Sequence, residues 1–474
     1  VETDRAAGLV ASLVTGGECS VDLSSVFDAS SEYALTTAAG DAGGLFGVID
    51  AGASVTATLG SFRATVTGEG GNAGLLVGVN RGSFTLVPSE TGVTLSGGAV
   101  SGTDGASTGV IGVNEANASV TFDGALLLNS LTLTADAVGG VVGSHGVGAT
   151  LTFAGDVTVS SLTASGVYVG GLVGVSDGSV TLADTVTCTV KDSAFSAKNE
   201  TSVLGGAIAK TVAAPVGAGS FVLSGNSFGK TGTMGGFIGD FTADTDTVFS
   251  NVTVSSSVFD TANVTAAHSV GGYFGTVTAN ASFTLASDET SAFTFGNVRT
   301  GAIGGVIGTA NATDLTNGVF VGKKTGTGTL TVRSTFESTG FSGSLGGVVG
   351  VVKENVYLRI DAVCAENTMN ARGEGVADLV GTGEKNAFID LGTVAYRNNG
   401  GSVAVSRTRE GTILRLFGAL SDTSPQFNHI VLVQDRSLLY ADTGFSFTCT
   451  GTVAGNDIGN YGQILRNDTL GFLS

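Results

Sequence analysis

Gly170-Gly171-Leu172-Val173-Gly174 opens a stretch that continues Val175, Ser176-Asp177-Gly178, Ser179-Val180-Thr181-Leu182, Ala183-Asp184-Thr185 and Val186-Thr187-Cys188-Thr189-Val190. Ser179–Leu182 and Val186–Val190 alternate apolar and small polar residues, the pattern of a strand with one buried face. Asp and Gly at 177–178, and Asp at 184, supply the backbone angles of corners. Short strands divided by corners, all within about 31 residues, describe one rung of a parallel β-helix.

The opening phrase recurs. It stands at Gly43-Gly44-Leu45-Phe46-Gly47, Gly74-Leu75-Leu76-Val77-Gly78, Gly109-Val110-Ile111-Gly112, Gly139-Gly140-Val141-Val142-Gly143 and Gly205-Gly206-Ala207-Ile208-Ala209. It returns at Gly235-Gly236-Phe237-Ile238-Gly239, Gly271-Gly272-Tyr273-Phe274-Gly275, Gly304-Gly305-Val306-Ile307-Gly308 and Gly346-Gly347-Val348-Val349-Gly350, with a degenerate copy at Asp378-Leu379-Val380-Gly381. Even spacing on this scale marks a solenoid, in which each unit buries its apolar face only against its neighbours. The sequence therefore predicts an all-β, right-handed parallel β-helix of about 12–14 rungs, each of roughly 31–36 residues and three short strands. Residues 1–381 carry the regular anchors. Over 382–474 glycine thins and arginine becomes frequent, which predicts irregular final rungs or a cap. The anchor glycines are expected to supply both positive φ and close backbone approach at a tight corner. Two adjacent apolar residues break the alternation, which leaves open which of them enters the core.

Six to eight residues past most anchors comes an apolar-Thr-apolar (or small) triplet, centred on Thr56, Thr85, Thr121, Thr152, Thr181 and Thr284. Side chains alternate faces, so each Thr is expected outside and its neighbours inside, making an outward Thr ladder mostly one residue wide. Phe221-Val222-Leu223 is assigned the same role and interrupts the ladder. The same phasing points Cys19, Cys188, Cys364 and Cys449 inward as buried free thiols. Their separation in rungs exceeds the reach of a disulfide, and no zinc spacing is present.

Glycine is 76 of 474 residues without a Gly-X-Y period, and proline only 3, so collagen and proline-rich linkers are excluded. With 42% hydrophobic and 13% charged residues the chain is too apolar to stay disordered. A net charge of −19, spread along the chain, disfavours nucleic acid and anionic lipid as partners. No apolar run is long enough to span a bilayer as a helix. Ser144-His145-Gly146 and the pair Asp244/Asp246 are the nearest approaches to catalytic or calcium-binding patterns; both read better as an exposed corner histidine and a polar corner. No catalytic residue, cofactor site or metal site is expected: the nucleophile-elbow, P-loop and dinucleotide patterns are missing from the sequence.

Anchors such as Gly43-Gly44-Leu45-Phe46-Gly47 and Gly170-Gly171-Leu172-Val173-Gly174 resemble the GLUG motif of bacterial secreted and cell-surface repeat proteins, over roughly residues 40 to 381. The resemblance implies a β-helical stalk or adhesin-like exoprotein with no catalytic residues to carry over. The expected function is a non-enzymatic, extracellular or cell-surface structural or adhesive protein. Its expected partners are its own copies, end to end or laterally, or a cell-surface glycan or protein. The alternatives are a polysaccharide lyase or hydrolase, and binding of ice or another crystalline surface through the Thr ladder.

Overall fold

The structure is a computed structural model. It describes residues 2–398 apart from 4–5, 28–29, 91, 230–231, 261–267, 288, 297–299, 314–316, 323–329, 338–341, 371–374, 378, 385–386 and 392. Beyond 398 it describes the strand segments 417–420, 426–428, 432–434, 437–440 and 446–450. The described chain is all-β without a helix, and its parallel strands stack as a β-solenoid of about ten turns. It divides into two compact units, Val1–Gly232 and Thr233–Ser474.

In the first unit a complete turn has four sides rather than the expected three. The turn that begins at the anchor strand Val142–His145 continues through Thr150–Phe153, Val157–Ser160 and Thr163–Gly166. Each strand pairs in parallel with its equivalent one turn on, at Val173–Ser176, Ser179–Leu182, Thr187–Lys191 and Ala194–Ala197. The extra side comes from a one-residue corner between the third and fourth strands. There Gly97, Ser130, Ser161, Asp192 and Gly225 all take φ between 51° and 65°, which turns the chain without a loop. The turn after Ile208–Thr211 is incomplete: Ala213-Ala214-Pro215 follows, and proline has no N–H for the ladder, so only the bridge Thr181–Val216 forms there.

The described turns of the second unit are three-sided from Phe274 onward. Phe274–Ala279, Phe283–Leu285 and Thr290–Gly296 form one turn; Ile307–Ala312, Val319–Gly322 and Leu330–Glu337 form the next. The long third strand replaces the two short ones of the first unit. Parallel pairing extends past residue 382, through Phe388–Leu391 with Gln426–Asn428 and Thr393–Asn398 with Ser446–Thr450. One antiparallel pair, Leu432–Gln434 with Ser437–Tyr440, accompanies it.

Alternation builds the core as expected. Val55, Phe84, Val120, Leu151 and Val180 are paired turn to turn, and every one is buried. Alongside them runs a second column, Ala57, Leu86, Phe122, Phe153 and Leu182. At the anchors the strand breaks between Gly43 and Phe46, and both Leu45 and Phe46 are fully buried; Leu172/Val173 and Phe237/Ile238 repeat this. A bend in the chain thus lets two successive apolar side chains face inward.

The anchor glycines owe their place to close approach alone. None of Gly44, Gly47, Gly78, Gly112, Gly143, Gly171, Gly174, Gly236, Gly272, Gly275, Gly305, Gly308 or Gly350 takes positive φ. A Cβ on Gly140 would stand 2.1 Å from the carbonyl oxygen of Gly171, and one on Gly44 2.0 Å from that of Leu75. Backbone of the next turn occupies the space a side chain would need.

Candidate binding faces

The Thr ladder is present in the first unit, and it is twice as wide as the sequence reading gave. Thr56, Thr85, Thr121, Thr152 and Thr181 stand in register on successive turns, each half-buried between its neighbours, and Ser20 precedes them. Two residues earlier on each strand, and therefore on the same face, runs Ser54, Ser83, Ser119, Thr150 and Ser179. Ser119 donates to Ser83 across turns at 2.9 Å. The signal for the second column was in the sequence: every Thr of the ladder has Ser or Thr two positions before it. Alternation was read there for burial and not for the composition of the outer face.

Two ladder assignments are corrected. Thr284 is buried, at 5% exposure, and pairs in the second unit with Val248 and Phe320, whose larger side chains flank it. Phe221–Leu223 lies on another side of the first unit, where Val222 pairs with Thr189; Val216 is the residue that follows Thr181. Pro215 displaces the strand by a side, so counting from the anchor misplaces it.

Of the cysteines, Cys188 is fully buried between Val157 and Phe221, and burial, with a lesser push from Asp156, raises its thiol to about 12. Cys19 is in phase with Val21 and pairs with Val55, yet it is only half-buried, because its strand is the outermost of its sheet. The side chains of Cys364 and Cys449 lie outside the described residues. The phase drawn for Cys364 ran through Ala362, which takes φ 53° at a corner and interrupts the alternation.

His145 stands at the corner predicted for it but is buried, at 1% exposure, rather than exposed. It continues a polar column inside the corner. Asn80 donates to Asn114 Oδ1 at 2.8 Å, Asn114 Nδ2 lies 3.1 Å from His145 Nδ1, and His145 Nε2 lies 3.1 Å from the Ser179 carbonyl oxygen. Asn80 and Asn114 likewise donate to the Ser119 and Thr150 carbonyls one turn on. The neutral Nε2–H tautomer satisfies both contacts, and burial holds the imidazole below its ordinary pKa. Asp244 accepts from Asn280 Nδ2 at 2.8 Å and Asp246 from the Ser282 amide at 3.0 Å. Both carboxylates therefore tie one turn to the next.

A third feature was not legible in the sequence. At the anchor bend, hydroxyls from the strand before the glycines meet hydroxyls from the strand after them. Ser107 Oγ lies 2.7 Å from Ser144 Oγ in the first unit. In the second, Ser269 donates to Thr309 Oγ1 at 2.8 Å, and Ser344 and Thr382 are hydrogen-bonded. Each pair joins positions 37 to 40 residues apart, on adjacent turns.

Stacked parallel strands with these outward faces define the chain as a parallel β-solenoid repeat protein. No family model, curated protein or solved structure matches it.

Proposed function

We propose that the chain is a non-enzymatic structural or adhesive solenoid that works outside the cell or at its surface, and that the double hydroxyl column of the first unit is its contact face. The supporting observation is the register: Ser-x-Thr or Thr-x-Thr repeats on successive turns from Ser54 to Thr181, on one side of a rigid sheet. Hydroxyls donate and accept, and a β-sheet holds them at fixed spacing, so the face meets a polar partner with little ordering cost. Its occupants would be a glycan, a protein surface or a second copy of the chain. No helix of the described residues is long and apolar enough to cross a membrane.

The test is capture by immobilised protein of cell-surface glycans, whole cells and the protein itself, comparing wild type with T85K/T152K. The reading expects capture by wild type and loss of about tenfold or more in the variant, with thermal unfolding unchanged. Equal capture by both, or depolymerisation of any polysaccharide in the panel, overturns it. A second reading, binding to ice or another crystalline surface, is favoured by the two-dimensional repeat: turns ~4.8 Å apart carrying two hydroxyls each. Thermal hysteresis in freezing solutions, lost in T85K/T152K, is its expected signature; freezing behaviour identical to that of the variant removes it.

A further inference from the structure

In the second unit the outside of the anchor bend holds a recess of about 400 Å³, lined among others by His268, Ser269, Thr300, Thr309, Ser344 and Lys353. The depth has a cause in the register. His268, Gly301 and Gly343 occupy equivalent positions on successive turns, since the Ala302 amide donates to the His268 carbonyl and Gly301 pairs with Gly343. The two positions after the histidine, Gly301 and Gly343, carry no side chain, and the imidazole leans on Gly301, where a Cβ would stand 2.9 Å from Nε2. An imidazole wall, a glycine floor and a rim of hydroxyls result.

We propose that this recess is a subsite for one neutral sugar residue of a polysaccharide chain. A volume of about 400 Å³ falls at the lower end of the roughly 300–1,000 Å³ typical of small-ligand sites. Thr233, Ser269, Thr300, Thr309 and Ser344 supply hydroxyls that both donate and accept, the pattern that matches the hydroxyls of a sugar ring. Ala302 and Val351 add apolar surface for its C–H groups. Charge favours a neutral ligand: Lys353 of the lining is paired with Glu384 at 2.6 Å, which offsets the attraction it would offer a uronate or phosphate. Two of the hydroxyls are fixed from across the bend, Ser269 by Thr309 and the Gly275 carbonyl, Ser344 by Thr382. All of them sit on paired strands, so the rim is pre-organised. The recess is open to solvent, so a sugar residue bound there can continue into a chain.

This inference is independent of the hydroxyl face of residues 54–181 and of an adhesive role. It is tested on the whole chain by calorimetric titration with hexasaccharides of β-glucan, mannan and xylan, with oligogalacturonate as the anionic control. At least one neutral hexasaccharide is expected to bind at millimolar concentration or below, and oligogalacturonate more weakly. The variant T300Y, which fills the recess, and S344A/T309V, which strips its rim, are each expected to weaken binding about tenfold or more. E90Q, at an exposed first-unit position outside both faces, is expected to bind like wild type. Thermal unfolding of all three variants identifies any that misfold, and S344A/T309V, which adds no bulk, carries the test if T300Y does. No binding of any neutral hexasaccharide, preference for oligogalacturonate, or undiminished affinity in a folded recess variant overturns the proposal.

Discussion

A methyl group on Gly140 would meet the Gly171 carbonyl oxygen at 2.1 Å, whereas one on Gly229 would meet nothing within 4 Å. Neither glycine takes positive φ, so the two positions separate steric need from backbone freedom. Gly140→Ala is expected to cost about 3 kcal/mol or more in chemical denaturation, and Gly229→Ala less than about 0.5 kcal/mol. Equal, small effects would remove close approach as the reason for the anchor glycines. At the corner column, His145 is the one titratable member. Its neutral form accepts from Asn114 through Nδ1, and a proton there would face an NH₂ group. With the folded pKa below the ordinary 6.5, stability is full above pH 6.5 and declines as the pH falls through the folded value. Denaturation midpoints across pH 4–8 are expected to show this slope in wild type and a weaker one in His145→Asn, which extends the column Asn80–Asn114. Cys188, with its thiol raised to about 12 and no exposure, is expected to resist thiol reagents until the chain unfolds, while half-buried Cys19 reacts in the native protein. Labelling both at the same rate would contradict the register of their strands.

Elements of this fold end at single residues. Ser130, Ser161 and Asp192 turn the chain at φ 57°, 54° and 51°, the conformation that Gly97 and Gly225 adopt in the same column. Left-handed backbone strains a residue with a Cβ, so Ser161→Gly is expected to raise stability by a few tenths to about 1 kcal/mol in equilibrium denaturation. A loss of similar size would mean that the hydroxyl, and not the angle, holds the corner. These corners also show what sequence reading could reach. Strand alternation was legible because burial imposes it on every turn, and the anchors because a backbone-to-backbone contact admits only glycine. Serine also stands within strands of this chain, as at Ser54, Ser83 and Ser119, so nothing at Ser130 or Ser161 announced a fourth side. Pro215 is a legible break in the ladder, and spacing from the anchor alone, which ignores it, places Val222 on the wrong sheet. The hydroxyl pairs at the bend were out of reach altogether, since they join residues on adjacent turns across a bend whose direction the glycines alone do not give.

Taken as a molecule, the chain uses one anchor for two cross-sections: four-sided turns in Val1–Gly232, and three-sided turns among the described residues from Phe274 onward. The anchor sheet, and the sheet that holds Thr163–Gly166 and Thr290–Gly296, have strands in both units, while the hydroxyl columns belong to the first and the recess to the second. Function, on this account, is distributed by side and by unit, and the repeat that defines the fold leaves each side free to vary its outward residues. The register that aligns those residues is therefore the central claim. It is tested most directly by oxidising the double variants T121C/T152C and T121C/T181C and mapping their disulfides by peptide mass. Thr121 and Thr152 are partners on adjacent turns, within the ~4.4–6.8 Å between Cα atoms that a disulfide spans, and two turns exceed it. The account predicts a rapid intramolecular disulfide in T121C/T152C and none in T121C/T181C; the reverse, or bonds of equal yield in both, would contradict it.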